Sequence, residues 1–165
     1  MSCRTLQVDA HILEESVEGK PIVVATFMGT EPDLPGVLFN CHVDVVPAIK
    51  ESWTVPPFEG LVRDDKVYGR GTQDMKCVCV QHLVAIKKLR RSGFFPKRTT
   101  FFTFVPDEEI GGVDGMNVLI DSQWFNEINI GLAFDEGLAN ETEDTYSVFY
   151  GERLPWYDQF NQLND

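Results

Sequence analysis

Residues 74–105 read DMKCVCVQHLVAIKKLRRSGFFPKRTTFFTFV, and this stretch predicts a helix followed by a strand. Four apolar residues recur at helical spacing between Asp74 and Arg91, namely Cys79, Leu83, Ile86 and Leu89. Basic residues fill the last predicted turn, where they suit the negative end of a helix dipole, and Gly93 then supplies a stop. The aromatic and β-branched run Thr99–Val105 is typical of a strand.

Further strands and a second helix are predicted on both sides of this segment. The predicted elements are strands at Leu6–Leu13, Pro21–Phe27, Gly36–Asn40, Gly131–Phe134 and Tyr146–Tyr150, a hairpin at Leu61–Tyr68, and a helix at Gly115–Phe125. A strand–helix–strand–helix–strand order predicts an α/β fold in which helices cross over between strands of one sheet.

Length and charge limit the class of function. The chain has 165 residues, which suits one domain, and its formal net charge is -12 from 26 acidic and 14 basic residues. Such a surface repels nucleic acid, and it indicates either simple solubility or carboxylates gathered around cations. We see no signal-peptide pattern and no apolar run of roughly 18 residues. Because the four cysteines form no C-x-x-C pair, we expect reduced thiols in a cytoplasmic protein that does not contact membranes.

Polar clusters lie at the ends of the predicted strands, where open α/β sheets bind ligands. His42 and Asp44 follow the strand that ends at Asn40. A metal-bound histidine commonly donates its second N–H to a carboxylate, so Asp44 is a candidate partner of His42. The alternative is a structural histidine held by hydrogen bonds. This alternative is favoured when His42 is considered without the other motifs.

Asp74 opens the long predicted helix within the glycine-flanked sequence GRGTQDMK. Asp is a good N-cap residue, so a purely structural role is a strong alternative to metal binding. The G-x-x-x-x-G-K-[ST] spacing of a phosphate loop is absent. A carboxylate at a helix start also suits a bridge between two metal ions, since each of its oxygens can bind one cation.

Two further acidic clusters follow apolar strands. Asp107, Glu108 and Glu109 repel one another unless a cation lies nearby, although most acidic runs are solvated loops. The paired glycines after them favour a packed turn, in which one carboxylate binds metal and the next handles water. Asp135 and Glu136 form a weaker cluster, because Asp-Glu-Gly is also a common turn.

Taken in order, these motifs resemble the M20 zinc peptidase family from about Leu6 to Trp156. The resemblance is carried by His42-x-Asp44-Val-Val-Pro, Trp53 with Pro57-Phe58, Tyr68-x-Arg70-Gly71-x-Gln73-Asp74-Met75-Lys76, Val105-Pro106-Asp107-Glu108-Glu109-x-Gly111-Gly112, and Asp135-Glu136-Gly137-x-Ala139-Asn140. The set is highly specific. It implies an α/β fold with a mixed sheet and flanking helices, similar to part of the catalytic domain of that family.

The resemblance also implies a site with two zinc ions. His42 and Glu136 would bind one ion, Glu109 would bind the other, and Asp74 would bridge the pair. Asp44 would orient His42. This ligand set, one imidazole with carboxylates, admits zinc, cobalt or manganese.

By the same resemblance, Glu108 would be the general base. It would take a proton from the attacking water and return it to the leaving amine. Gln73 and the stretch 135–140 are most similar to the branch of the family that hydrolyses N-acyl-L-amino acids, so the expected partner is a small-molecule N-acyl amino acid. A dipeptidase or deacetylase specificity within the family is the first alternative.

The family pattern continues into a lid or dimerisation domain and a last histidine ligand, which have no counterpart in residues 1–165. His82 does not replace that ligand, because it lies eight positions beyond Asp74, about 12 Å along a helix. His11 belongs to an early strand. We therefore expect a partial catalytic domain without the domain through which family members often form homodimers. We also expect impaired activity, or metal binding without catalysis.

Overall fold

The structure is a computed structural model that describes residues 8–137, together with residues 142, 144, 145, 147, 148 and 151. Its strands are β1 Asp9–Ile12, β2 Val23–Phe27, β3 Gly36–His42, β4 Leu61–Arg63, β5 Lys66–Tyr68, β6 Thr100–Val105 and β7 Ile130–Phe134. Its helices are α1 Lys76–Arg91, α2 Met116–Asp121 and α3 Gln123–Glu127. Short 3₁₀ turns span Lys50–Ser52 and Glu108–Ile110.

Five strands form one mixed sheet in the order β1-β2-β6-β3-β7. The pairs β6–β3 and β3–β7 are parallel, whereas β1–β2 and β2–β6 are antiparallel. Strands β4 and β5 form a separate hairpin with Asp64 and Asp65 at its turn, both at positive φ. The mixed sheet with flanking helices that the resemblance implies is confirmed.

The three parallel strands bring the polar clusters to one edge of the sheet. His42 is paired in register with Val105, the last residue of β6. Phe39 is paired with Phe134, the last residue of β7. Because parallel strands end at the same edge, the segments after His42, Val105 and Phe134 emerge side by side.

Each face of the sheet is covered by helix. On one face Ile86 of α1 packs with Phe27 and Phe102, and on the other Leu119 of α2 packs with Val105. Complete burial of such a side chain contributes about 1.5–3 kcal/mol each. The core therefore holds the sheet between α1 on one face and α2 on the other. The polar segments leave the sheet at the edge described above.

Most predicted strand bounds differ from the structure by one or two residues, and three differences concern the site or a helix. Strand β3 continues through His42, because pairing with β6 extends that far. Helix α1 begins at Lys76 instead of Asp74. The predicted helix over Gly115–Phe125 is two short helices, because Ser122 is extended and its Oγ accepts a hydrogen bond from Phe125 N at 3.2 Å, which caps α3.

The predicted strand Tyr146–Tyr150 and the start of the first predicted strand lie at least partly outside the described residues. In the part of the chain that the structure describes, no helix has the length and apolar character needed to cross a membrane.

Candidate metal centre

His42 is the centre of the site, and its side chain is only 1% exposed. Its Nε2 lies 2.9 Å from Asp74 Oδ1, 3.5 Å from Glu136 Oε2 and 3.8 Å from Glu108 Oε2. Three carboxylates from different parts of the chain therefore surround one imidazole nitrogen. The structure thus brings together residues that the sequence places in four separate motifs.

Asp44 lies on the other side of the imidazole. Its Oδ1 is 3.4 Å from His42 Nδ1, and its carbonyl oxygen is 3.1 Å from the same nitrogen. The Asp44 carboxylate also accepts hydrogen bonds from Glu108 N at 3.1 Å and Glu109 N at 3.0 Å. Asp44 therefore contacts both the histidine and the acidic turn, a geometry that suits an orienting residue.

The acidic turn is a single 3₁₀ turn over Glu108–Ile110. It is flanked by Asp107 and Gly111, which have left-handed φ values of 75° and 105°. Glu109 Oε1 accepts a hydrogen bond from Val46 N at 3.3 Å. The turn is therefore packed against the segment that follows β3, as the paired glycines of the sequence indicate.

Asp74 does not cap α1, so the N-cap role expected for an Asp at the helix start is wrong. Met75 occupies the N-cap position, and no side-chain capping bond is made there. The Asp74 carboxylate instead lies against His42, with its side chain 60% exposed. Met75 is buried, and its Sδ accepts a hydrogen bond from His42 N at 3.2 Å.

Two buried polar residues, Asn40 and Thr103, hold the segment that carries Glu136. Thr103 Oγ1 donates to Asn40 Oδ1 at 2.6 Å, and Asn40 Nδ2 lies 3.2 Å and 3.1 Å from the two oxygens of Asp135. Asp135 Oδ1 in turn accepts from Glu136 N at 2.9 Å. Sequence reasoning missed this network, although two polar residues inside apolar strands were a signal for it.

The carboxylates around His42 change each other's ionisation. Burial by itself lowers the pKa of His42, but the Asp74 hydrogen bond and the charges of Glu136, Glu108 and Asp44 outweigh burial, so this pKa is raised. Burial, followed by the charge of Asp74, raises the pKa of Glu136 to about 7. Burial and neighbouring carboxylates also raise the pKa of Glu108, against the effect of His42. A cation would offset this crowding of negative charge.

The residues present fit a metal centre. Ligand atoms of His42, Asp74 and Glu136 lie within 4.8 Å of one another, as do those of His42, Glu108 and Glu109. An imidazole with several carboxylates is a donor set that divalent transition metals accept. In the described residues, neither His11 nor His82 belongs to these groups.

Comparison with known proteins gives consistent results. The profile of peptidase family M20/M25/M40 matches residues 38–149, which include every candidate ligand named above. Aminoacylase-1 of Dictyostelium discoideum is 51% identical over 141 residues, or 84% of this chain and 34% of that protein. Aminoacylase-1 of Sus scrofa is 48% identical over 144 residues, or 87% of this chain and 35% of that protein. The chain therefore spans about a third of the length of the curated relatives it matches.

A solved structure supports the same relationship. The M20 family metallo-carboxypeptidase Sso-CP2 from Sulfolobus solfataricus matches 82% of this chain and 30% of its own, with a TM-score of 0.70 and 26% identity.

Proposed function

This chain belongs to peptidase family M20/M25/M40, and from that membership we propose that it takes part in the metal-dependent hydrolysis of N-acyl-L-amino acids. The products are a carboxylate and a free amino acid. The similarity to aminoacylase-1 supports this substrate class. The observation that carries the proposal is the convergence of Asp74, Glu108 and Glu136 on the buried imidazole of His42.

Zinc is the proposed metal, with cobalt or manganese as substitutes. His42 and Glu136 would hold one ion, Glu109 would hold a second, and Asp74 would be shared by the two. When bound, the ions supply a Lewis acid that activates water and stabilises negative charge on the amide oxygen. Asp44 keeps the His42 ring in the orientation that directs Nε2 toward Asp74 and Glu136.

Glu108 is the proposed general base. Its carboxylate lies near His42 Nε2 while its backbone N–H is held by Asp44. Its raised pKa makes it a stronger base than an ordinary glutamate. Glu108 removes a proton from the water that attacks the amide carbonyl, and it returns the proton to the nitrogen of the leaving amino acid.

A second candidate function is metal binding without turnover. It is favoured because His42 is the only histidine in the ligand groups formed by the described residues. A dipeptidase or other M20 specificity is a variant of the first proposal. For either function we propose a small-molecule ligand and a cytoplasmic location. We propose no nucleic acid or membrane partner, in keeping with the acidic charge of -12.

The test is zinc stoichiometry together with hydrolysis of N-acetyl-L-methionine by the purified chain. We expect zinc binding that Glu108→Gln preserves and turnover that Glu108→Gln lowers by at least about a hundredfold, the usual range for loss of a general base. Glu14→Gln, at an exposed position after β1, is the matched control and leaves both quantities unchanged. Zinc binding without turnover supports the second candidate function, and absence of zinc binding contradicts both.

A further inference from the structure

Lys20 joins two parts of the molecule that are far apart in sequence. It lies at the end of the turn between β1 and β2, where it forms a short β-bridge with Val17 around Gly19. Its Nζ lies 2.6 Å from Asp107 Oδ1 and 2.8 Å from Asp114 Oδ2. The ammonium group therefore connects this turn with the loop that follows β6.

Asp107 organises that loop through both its side chain and its backbone. Its side chain is 3% exposed, and Oδ2 accepts a hydrogen bond from Asp114 N at 3.0 Å. Its carbonyl oxygen accepts from Gly112 N at 2.7 Å and from Ile110 N at 3.3 Å. Its φ of 75° is uncommon for a residue with a side chain, so surrounding contacts must maintain it.

A buried carboxylate of this kind needs a compensating donor or cation. The hydrogen bond from Lys20 is the main reason that the pKa of Asp107 lies below its ordinary value. The same hydrogen bond raises the pKa of Lys20, with Asp114 as the second cause. Loss of the ammonium would leave the Asp107 and Asp114 carboxylates close together without their cation.

The loop held by Lys20 is the one that carries Glu108 and Glu109. The backbone N–H groups of these two residues donate to Asp44, which contacts His42. The turn is therefore anchored toward the metal centre by Asp44 and, through Asp107, by Lys20. Lys20 itself makes no contact with the ligand side chains in the hydrogen bonds and ion pairs of the described residues.

We propose that Lys20 is a positioning residue of the metal centre, which holds the Glu108–Ile110 turn in its ligand-presenting conformation by pairing with Asp107. The inference rests on the proposed function, because it assigns a metal-binding role to Glu109 and a proton-transfer role to Glu108. The competing explanation is an ion pair that stabilises the fold as a whole. The two explanations predict different locations for the effect of substituting Lys20. A positioning residue affects the Glu108–Ile110 turn, whereas a general stabilising ion pair affects the whole fold.

The first measurement is amide hydrogen exchange of the metal-free 165-residue chain, wild type against Lys20→Met. The Lys20 side chain is 35% exposed, so a methionine of similar length is accommodated. We expect protection of the Glu108, Glu109 and Gly112 amides to fall about tenfold, as one charge-assisted hydrogen bond is lost. Protection in β3 and β6 stays unchanged, and Lys20→Arg restores protection of the turn.

The matched control is Lys97→Met. Lys97 pairs with Glu31 at 3.1 Å, and both side chains are exposed, so the control removes the same charge from a surface ion pair away from the turn. It leaves exchange at Glu108 and Glu109 unchanged. Unchanged protection of the turn in Lys20→Met, or an equal loss across the whole sheet, would overturn the positioning role.

The second measurement is zinc affinity by competition with a chromophoric chelator. We expect Lys20→Met to bind zinc about tenfold more weakly, the range found for residues that support metal ligands, with recovery in Lys20→Arg. Equal zinc affinities of wild type and Lys20→Met also contradict the inference. Failure of the wild-type chain to bind zinc contradicts the proposed function instead, and hydrogen exchange then still decides the role of Lys20.

Discussion

At the scale of single residues, Glu136 shows how burial and neighbouring charge act together. Its pKa of about 7 arises from burial first and from the Asp74 charge second. In an unfolded chain the same carboxyl titrates near its ordinary value of about 4.3. A group whose pKa is higher in the folded state stabilises the fold below its unfolded pKa, and that contribution is lost as the pH rises through the folded pKa. The raised pKa of His42 acts in the same direction.

The metal-free chain should therefore become less stable as the pH rises from about 5 to about 8. In Glu136→Gln this decline should be smaller, because the amide does not ionise. Thermal unfolding in the presence of a chelator, followed by circular dichroism at several pH values, measures the effect. Glu14→Gln should keep the wild-type slope, and a wild-type chain whose melting temperature increases over this interval would contradict the assignment.

At the scale of secondary-structure elements, α1 is the part that the sequence predicts best. The spacing of its apolar residues predicts which side faces the sheet, and Cys79 and Ile86 are buried there. The start of α1 could not be predicted from local preference, because Asp74 is as suitable for an N-cap as for a ligand. The contact between Asp74 and His42 involves residues 32 positions apart, which no local pattern encodes.

Substitution of Ile86 by alanine tests the packing of α1. Ile86 is 4% exposed and packs with Phe27 and Phe102, so Ile86→Ala should lower the free energy of unfolding by about 2–5 kcal/mol. Val80 lies on the same helix but is 58% exposed, and Val80→Ala should change stability by no more than about 0.5 kcal/mol. Urea denaturation measures both, and equal effects of the two substitutions would show that α1 does not pack as described.

At the scale of the whole molecule, the described residues leave apolar surface exposed beside β7, the last strand of the sheet order. A groove of about 410 Å³ lies between α1 and the strands β3 and β7, and its lining includes Phe39, His82, Leu89, Phe94, Phe102 and Phe134. Within the described residues the outer edge of β7 is unpaired, and Leu132 is 53% exposed. An open edge strand beside apolar surface favours association between chains.

A charge on β7 should weaken that association. We expect the wild-type chain to associate more strongly as its concentration rises, and Leu132→Lys to shift this association to higher concentration. Val62→Lys, at a 71% exposed position on the separate β4–β5 hairpin, is the control and should behave as wild type. Sedimentation velocity over a range of concentrations distinguishes the two variants, and a similar shift in both would indicate a general effect of charge.

The sequence by itself determined the α/β class, most of the strands and the positions of the candidate ligands. These features are local: apolar periodicity defines the elements, and turn residues with clustered acids mark the points where strands end. The acidic motif after β6 and the His42 motif after β3 could therefore be identified before any contact was known.

Only the tertiary structure decided which of these side chains meet. The parallel pairing of β3 with β6 and β7 places the ends of three strands at one edge, and this pairing joins residues distant in sequence. The Asn40–Thr103 pair and the Lys20–Asp107 ion pair depend on the same register and on packing across the sheet. Burial and charge around His42 follow from that assembly, because an imidazole acquires its surroundings only when distant segments enclose it.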